Sequence, residues 1–197
     1  MRLLTLCMLL LVSLGLTAQD KNTGIKFESK AFDELLAQAK SENKIIFVDA
    51  YTTWCGPCKM MTAKVFPQEE VGNVYNARFV NAKIDMEKGE GPALAKRYSV
   101  MAYPTYLFIN GDGELVHKGL GYIPGEALIE LADKANGEHS LLALNTRYEA
   151  GERDADFVVS YAQTLTEVYE KEKAGTVIAD YLNTQEDWSG ESTMKLI

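Results

Sequence analysis

The spacing of apolar residues predicts an alternation of helices and strands over the first two thirds of the chain. Residues 30–42 carry apolar side chains at every third or fourth position, which predicts an amphipathic helix. Residues 45–50 are nearly all apolar and include β-branched and aromatic side chains, a composition typical of a central strand covered on both faces. Further strands are predicted at residues 78–85, 105–109 and 114–118.

Proline and glycine residues mark where these elements begin and end. Residues 57–66 and 68–77 have helical patterns and are separated by a proline, which interrupts a helix. The sequence Asn-Gly-Asp-Gly at residues 110–113 predicts a hairpin turn between two strands. Pro92 and Pro124 each open a further helix, because proline suits the first helical turn.

The composition changes at residues 136–139, and beyond this break the apolar pattern is helical only. Three helices are predicted there, in the segments 141–148, 157–169 and 177–182. We therefore predict a helical extension over residues 140–197. Short helices joined by turns fit the start of a helical repeat, although one partial unit does not define a period. The final six residues resemble the beginning of a helix. Two explanations are open: the natural protein is longer, or this C-terminal segment docks onto another surface.

The first 19 residues have the features of a secretory signal peptide. Arg2 precedes an apolar run at residues 3–12, and small residues follow as far as Ala18. The alternative is a membrane anchor, but the run is short for a transmembrane helix, which needs about 20 apolar residues. For residues 1–19 we predict cleavage near Ala18 or Gln19, export to the periplasm or another exported location, and no stable membrane span afterwards.

Removal of this leader changes the charge and the cysteine content. The full chain has 20 Lys and Arg against 28 Asp and Glu, a net charge of −8, and loss of Arg2 makes it −9. Such an acidic chain argues against a nucleic-acid partner, which usually needs a basic face. Loss of Cys7 leaves two of the three cysteines, Cys55 and Cys58. An exported protein that keeps only this pair is expected to use it as a working dithiol.

Cys55 and Cys58 belong to a Cys-Gly-Pro-Cys motif at a predicted strand-to-helix junction. Gly56 permits a tight turn, and Pro57 suits the first turn of a helix. This arrangement places Cys55 at a helix N-terminus, where free N–H groups and the helix dipole favour a thiolate. On its own, a Cys-x-x-Cys pair fits a metal site, a structural disulfide or redox chemistry.

Neither a metal nor a cofactor is predicted. The two histidines, His117 and His139, lack metal-ligand spacing relative to the cysteines and are predicted to lie at the surface or at a strand end. The sequence contains no glycine-rich phosphate-binding motif and no flavin or nicotinamide motif.

Asp49 interrupts the apolar strand six residues before Cys55. A buried carboxylate is costly unless it is protonated or paired. Two interpretations are therefore open. The side chain points to solvent, or it is a buried proton acceptor for the cysteine pair.

Three segments resemble thioredoxins. Residues 47–59, with Trp-Cys-Gly-Pro-Cys-Lys, resemble the active-site segment of that family; residues 103–105 resemble its cis-proline loop, and residues 110–114 its final hairpin. The resemblance covers about residues 28–135. It implies an α/β fold of the thioredoxin-like type over residues 20–136, with a central mixed sheet flanked by helices, followed by the all-α extension.

The resemblance also implies the roles of three catalytic residues. Cys55, at the helix start and the more exposed of the pair, attacks a substrate disulfide and forms a mixed disulfide. Cys58, less exposed, resolves that intermediate and leaves the protein with a Cys55–Cys58 disulfide. Asp49, whose pKa burial raises, exchanges the proton of Cys58.

The same resemblance implies a substrate-binding surface. In the family the X-Pro bond of the loop is cis, lies against the cysteines, and keeps the dithiol from acting as a metal site. The residue before this proline offers its backbone to an extended substrate segment. The residues expected to contact substrate are Trp54, Gly56, Pro57, Tyr103 and Pro104.

One departure from the family concerns the partner of the buried acid. Thioredoxins commonly carry a lysine on the second strand that pairs with this carboxylate. Asn81 stands at the matching position, and Lys83 lies two residues further on and faces the same side. The proton relay therefore depends on whether Lys83 reaches Asp49.

These observations favour an exported thiol–disulfide oxidoreductase that reduces protein disulfides. Its partners would be disulfide-containing protein substrates and a membrane or soluble electron donor, without nucleic acid or metal. The alternative is a partner-binding or assembly protein of the cell envelope that uses the helical extension and keeps the thioredoxin-like domain as a scaffold. A disulfide isomerase would need a dimeric or chaperone-like surface, for which the sequence gives no sign.

Overall fold

The computed structural model describes residues 23–185 and 189–194, apart from the side chain of Ser192. The predicted signal peptide and the end of the chain at Ile197 lie outside the described residues. Within the described part, the helices are too short or too polar to cross a membrane.

Four strands form one mixed sheet in the order β2-β1-β3-β4. The strands are β1 (Ile45–Tyr51), β2 (Phe79–Asp85), β3 (Thr105–Ile109) and β4 (Leu115–Leu120). β1 pairs in parallel with β2 and antiparallel with β3, and β3 pairs antiparallel with β4. All four lie where the apolar pattern predicts strands, although β4 continues two residues beyond its expected end.

Five helices flank this sheet: α1 (Phe32–Glu42), α2 (Gly56–Met60), α3 (Glu69–Arg78), α4 (Gly91–Arg97) and α5 (Gly125–Asn136). The predicted helix at 57–66 differs in its second half. Residues Met61–Val65 form a π-helical turn, in which the Phe66 N–H donates to the Met61 carbonyl at 3.0 Å. Such a turn contains one more residue than an α-helical turn and therefore changes which side chains face inward.

The central strand β1 contributes to a separate apolar core on each face of the sheet. On one face, Phe47 packs with aromatic residues of α3 and of β3, including Tyr75 and Phe108. On the other face, Ile46 and Val48 pack with residues of α1 and α4. A strand covered on both faces needs the nearly continuous apolar sequence found here.

The residues beyond α5 form helices α6 (Leu141–Glu149), α7 (Ala155–Glu167), α8 (Lys171–Leu182) and α9 (Glu191–Met194). They enclose a core of their own, built from residues of α6, α7 and α8. This helical extension is not separate from the sheet, because α6 packs against the edge strand β4. Ion pairs join Lys118 to Glu170 at 2.9 Å and Lys134 to Glu167 at 2.7 Å. The helical repeat and the division into two domains remain predictions.

The prediction for His117 is wrong, because this histidine is buried in the middle of β4. Its Nδ1 accepts a hydrogen bond at 3.2 Å from the N–H of Leu141, the first residue of α6. Burial lowers the pKa of His117 to about 4, and nearby Lys134 acts in the same direction, opposed by Glu167. The extension covers β4, and that contact could not be inferred from local pattern. His139 is exposed, as predicted.

This buried imidazole makes the stability of the protein depend on pH. The pKa of His117 is lower in the folded state than the ordinary value of 6.5, so the unfolded chain binds the extra proton between pH 6.5 and about 4. The free energy of unfolding therefore falls as pH decreases through this window, with a limit of about 3 kcal/mol from this residue. His117→Gln keeps a hydrogen-bond acceptor but does not titrate, and we expect it to lose this part of the pH dependence.

Urea unfolding followed by circular dichroism at several pH values between 7 and 4 measures the effect as a difference between variants. His139→Gln is the matched control, because it makes the same substitution at an exposed position. Equal slopes for wild type and His117→Gln would contradict the prediction.

Candidate active site

The two cysteines of the Cys-Gly-Pro-Cys motif form a disulfide where β1 leads into α2. The Cys55–Cys58 bond joins Cα atoms 5.3 Å apart. Cys55 is the N-cap of α2, and its Sγ accepts a hydrogen bond from the Cys58 N–H at 3.1 Å. Pro57 lies in the first helical turn, where its missing N–H costs no hydrogen bond. The helix start therefore presents donor groups to the sulfur of Cys55, which favours its thiolate once the bond is reduced.

The expected difference in exposure between the cysteines is wrong for this disulfide form. Cys55 is 3% exposed and Cys58 is 2% exposed. Each sulfur is bonded to the other, and each therefore removes solvent-accessible area from its partner. The two residues differ instead in their place on the helix, because Cys55 caps α2 and Cys58 lies within it.

The loop before β3 lies at the same end of the sheet as the disulfide. The Tyr103–Pro104 peptide bond is cis, as the family resemblance implies. β3 begins at Thr105, which pairs with Ala50 near the end of β1, so this loop and the cysteine loop share one edge of the sheet. Pro104 is buried and Tyr103 is half-buried.

Trp54 is an exposed apolar group next to Cys55 in the sequence. Its side chain is 64% exposed, its ring meets that of Tyr103 edge-on at 5.9 Å, and its Nε1 donates to the Glu87 carboxylate at 2.9 Å. Gly56 and Pro57 are exposed as well. Three of the residues predicted to bind substrate, Trp54, Gly56 and Pro57, are thus exposed next to the buried disulfide. Sequence reasoning missed Glu87, which gives no motif signal of its own.

Asp49 is fully buried, so the interpretation that it points to solvent is wrong. Its Oδ2 lies 3.1 Å from Nζ of Lys83. The parallel pairing of β1 with β2 places these two residues directly opposite one another. Lys83, and not Asn81, is therefore the partner of the buried acid. The Asn81 amide instead donates to the Tyr75 carbonyl at 3.3 Å.

The surroundings of Asp49 suit proton exchange. Burial raises the pKa of Asp49, and the neighbouring Lys83 opposes this effect. Tyr106 faces Asp49 across β1 and β3, and its own pKa is raised by burial and by the charge of Asp49. A carboxyl group with a raised pKa can take up and release a proton closer to neutral pH than an exposed one.

A cavity of about 290 Å³ lies between Lys83 and Cys58. Both Cys58 and Lys83 line it, and Lys83 in turn contacts Asp49. The remaining lining residues are Tyr51, Thr52, Thr53, Lys59, Thr62 and Ala63. The structure thus places Lys83, the partner of the predicted proton acceptor, on the same cavity as the second cysteine. Among residues 23–185 and 189–194, no group of three or more His, Cys, Asp or Glu side chains is placed to hold a metal ion.

The family model for the thioredoxin-like domain matches residues 32–136, more than half of the chain. The chain belongs to the thioredoxin-like family. Together with the Cys55–Cys58 disulfide, this membership makes the protein a thiol–disulfide oxidoreductase. The helical extension lies beyond the matched residues.

Individual relatives agree with this assignment. A thioredoxin from Staphylococcus epidermidis is 40% identical over 96 residues, which cover 49% of this chain and 86% of the relative. A Bacteroides thetaiotaomicron protein, described as a proposed disulphide isomerase, is 46% identical with a TM-score of 0.53, covering 57% of this chain and 93% of its own. A thioredoxin from Thermus thermophilus is 25% identical with a TM-score of 0.52, covering 58% of this chain and 89% of its own.

Proposed function

We propose that the protein is exported and reduces disulfide bonds in other proteins. The observation that carries the proposal is the Cys55–Cys58 disulfide at the start of α2, whose Cys58 shares a cavity with Lys83, the ion-pair partner of the buried Asp49. This arrangement supplies both a favoured thiolate and a nearby proton acceptor. A structural disulfide would need neither.

The reaction uses the reduced form of the pair. The Cys55 thiolate attacks one sulfur of a substrate disulfide, forms a mixed disulfide and releases the other substrate sulfur as a thiolate. Cys58 then gives its proton to Asp49 and attacks the sulfur of Cys55. The Cys55–Cys58 bond forms, the bond to the substrate breaks, and the second substrate thiolate leaves. Two electrons have passed from the dithiol to the substrate.

The helix and the cavity favour different roles for the two cysteines. Cys55 caps α2, and the helix N-terminus stabilises its negative charge. Cys58 lies within the helix and is buried, which favours its neutral thiol until a base is available. A base is useful only at this second sulfur. The position of Lys83, which pairs with Asp49 and lines the cavity beside Cys58, supports that role for Asp49.

Substrate recognition fits the surface around the disulfide. The exposed ring of Trp54 offers apolar contact area, and the backbone of Tyr103, before the cis proline, is available to an extended segment of substrate. Gly56 and Pro57 present a small exposed surface through which a substrate disulfide can approach Cys55. Exposed apolar side chains beside a buried reactive group favour a protein substrate over a small-molecule disulfide.

The Gly-Pro dipeptide resembles that of reducing thioredoxins, which supports the reducing direction. Continued turnover then requires a membrane or soluble electron donor to restore the dithiol. The proposed isomerase from Bacteroides thetaiotaomicron makes disulfide isomerisation the second candidate, because isomerisation begins with the same mixed disulfide. The alternative role as a scaffold in a cell-envelope assembly gains no support from an intact disulfide beside a buried acid.

Insulin reduction in the presence of dithiothreitol tests the reducing activity. We expect turnover by the wild type and a rate no higher than that of dithiothreitol alone for Cys55→Ser, because no attacking thiolate remains. Cys58→Ser should also lose turnover, and once dithiothreitol is removed the reduced variant should accumulate mixed disulfides on Cys55, since the resolving thiol is absent. Mass spectrometry of the species trapped in an extract of the native cells identifies the natural substrates.

Two results would count against this function. Undiminished turnover by Cys55→Ser would exclude the assigned chemistry. Refolding of a scrambled disulfide protein without net reduction of insulin would favour the isomerase.

Export predicts a mature protein that begins close to Asp20. We expect N-terminal sequencing of the protein from its native cells to find a start near Gln19 or Asp20 in the exported fraction. Leu10→Arg should block export, because a charge interrupts the apolar run. Wild-type protein that keeps Met1 and stays in the cytoplasm would contradict this part of the proposal.

A further inference from the structure

The ammonium group of Lys83 is held by more than its ion pair with Asp49. It also donates a hydrogen bond to Oγ1 of Thr62. Two aromatic rings lie beside it, with the ring centre of Tyr51 at 4.8 Å and that of Phe66 at 5.4 Å. The Lys83 side chain is still 23% exposed, so the ammonium group could turn to water without crossing the core.

The Thr62 hydroxyl links this ammonium group to the active-site helix. A hydroxyl has one donor hydrogen and two acceptor lone pairs, so it can accept from Lys83 and donate elsewhere. Its hydrogen is directed to the backbone carbonyl of Cys58, at 3.1 Å. One side chain thus joins the resolving cysteine to the partner of the buried acid.

Thr62 belongs to the π-helical turn that follows α2. Thr62 is the second residue of the turn, in which the helix takes up one extra residue. Its side chain lines the cavity of about 290 Å³ beside Cys58 and also a second cavity of about 260 Å³ beneath residues 23–27. Lys83 lines both cavities as well, so the Thr62–Lys83 contact forms a wall between them.

We propose that Thr62 is a positioning residue that holds the Lys83 ammonium group against Asp49 and fixes this ion pair relative to Cys58. The proposal rests on the proposed function, in which Asp49 takes the proton of Cys58. Thr62 does not itself touch a reacting sulfur in this arrangement. It acts through Lys83.

Loss of the Thr62 hydroxyl is expected to raise the pKa of Asp49. Without Thr62 as an acceptor, one N–H of Lys83 faces an apolar methyl group, and water becomes the better partner. Asp49 then loses the positive charge of Lys83 at 3.1 Å, and the titratable group that still faces it is Tyr106 from β3. Tyr106 does not replace that charge, and Cys58 and Lys59 from α2 line the cavity on the Lys83 side. The pKa of Asp49 rises further, and proton transfer from Cys58 moves to higher pH.

The experiment compares Thr62→Val with Thr62→Ser and with a control variant on another helix. Thr176 donates to the carbonyl four residues earlier at 3.1 Å, as Thr62 does, but it lies on the exposed surface of α8. Thr176→Val therefore removes the same backbone hydrogen bond without touching Lys83. The first readout is the titration of Asp49 in the oxidised protein, followed by carboxyl ¹³C NMR and assigned by comparison with Asp49→Asn. The second readout is the pH dependence of insulin reduction.

We expect Thr62→Val to move the Asp49 titration to higher pH and to lower insulin reduction at pH 7 by about threefold or more, with recovery at higher pH. Thr62→Ser should restore both properties, and Thr176→Val should leave both at wild-type values. If Thr62→Val does not fold, Thr62→Ala provides the same loss of the hydroxyl with a smaller side chain.

An Asp49 titration that is identical in wild type, Thr62→Val and Thr62→Ala would overturn the proposal. So would failure of Thr62→Ser to restore it. The NMR titration needs no turnover and therefore tests Thr62 even if insulin is not reduced. Absence of insulin reduction by the wild type would count against the proposed function alone.

Discussion

The buried charge of Asp49 is the constraint on which the active site depends. A carboxylate in the middle of an apolar strand is costly, and the cost is tolerable here because Lys83 lies opposite it on β2. This match requires the observed register, since a slip of one residue would turn Lys83 to the other face of the sheet. The same strand then leads directly to Cys55, so the register that pairs the acid also fixes the acid relative to the dithiol.

The helical extension contacts β4, at the other end of the sheet from the strands β1 and β2 that carry Asp49 and Lys83. It packs against the edge strand β4, where it buries His117 and brings Glu170 to Lys118. An uncovered edge strand offers unpaired backbone groups to other chains, and natural proteins commonly cover or charge such edges. The active-site surface around Trp54 lies elsewhere and stays exposed. The extension therefore protects one edge of the fold without closing the surface proposed for substrates.

Local features of the sequence were sufficient for the strands and for the redox motif. The observed strand β3, from Thr105 to Ile109, has the same bounds as the strand predicted from the sequence. The side-chain pattern and the turn residues define both of its ends. Contacts between distant residues were not predictable in this way. His117 accepts a hydrogen bond from Leu141, 24 positions later, and Thr62 accepts one from Lys83, 21 positions later. The family resemblance pointed to Asn81 as the matching position, and only the strand register assigns the role to Lys83.

The rate of the resolving step tests most directly whether Asp49 serves Cys58. Stopped-flow reaction of the reduced protein with a chromogenic aromatic disulfide separates two releases of coloured thiolate, and the second reports attack by Cys58 on the mixed disulfide. If Asp49 takes the proton of Cys58, Asp49→Asn slows this second release at pH 7 by about tenfold or more and leaves the first nearly unchanged. Asp112→Asn, which alters an exposed surface ion pair, should match the wild type in both. A second release as fast in Asp49→Asn as in the wild type would contradict the account.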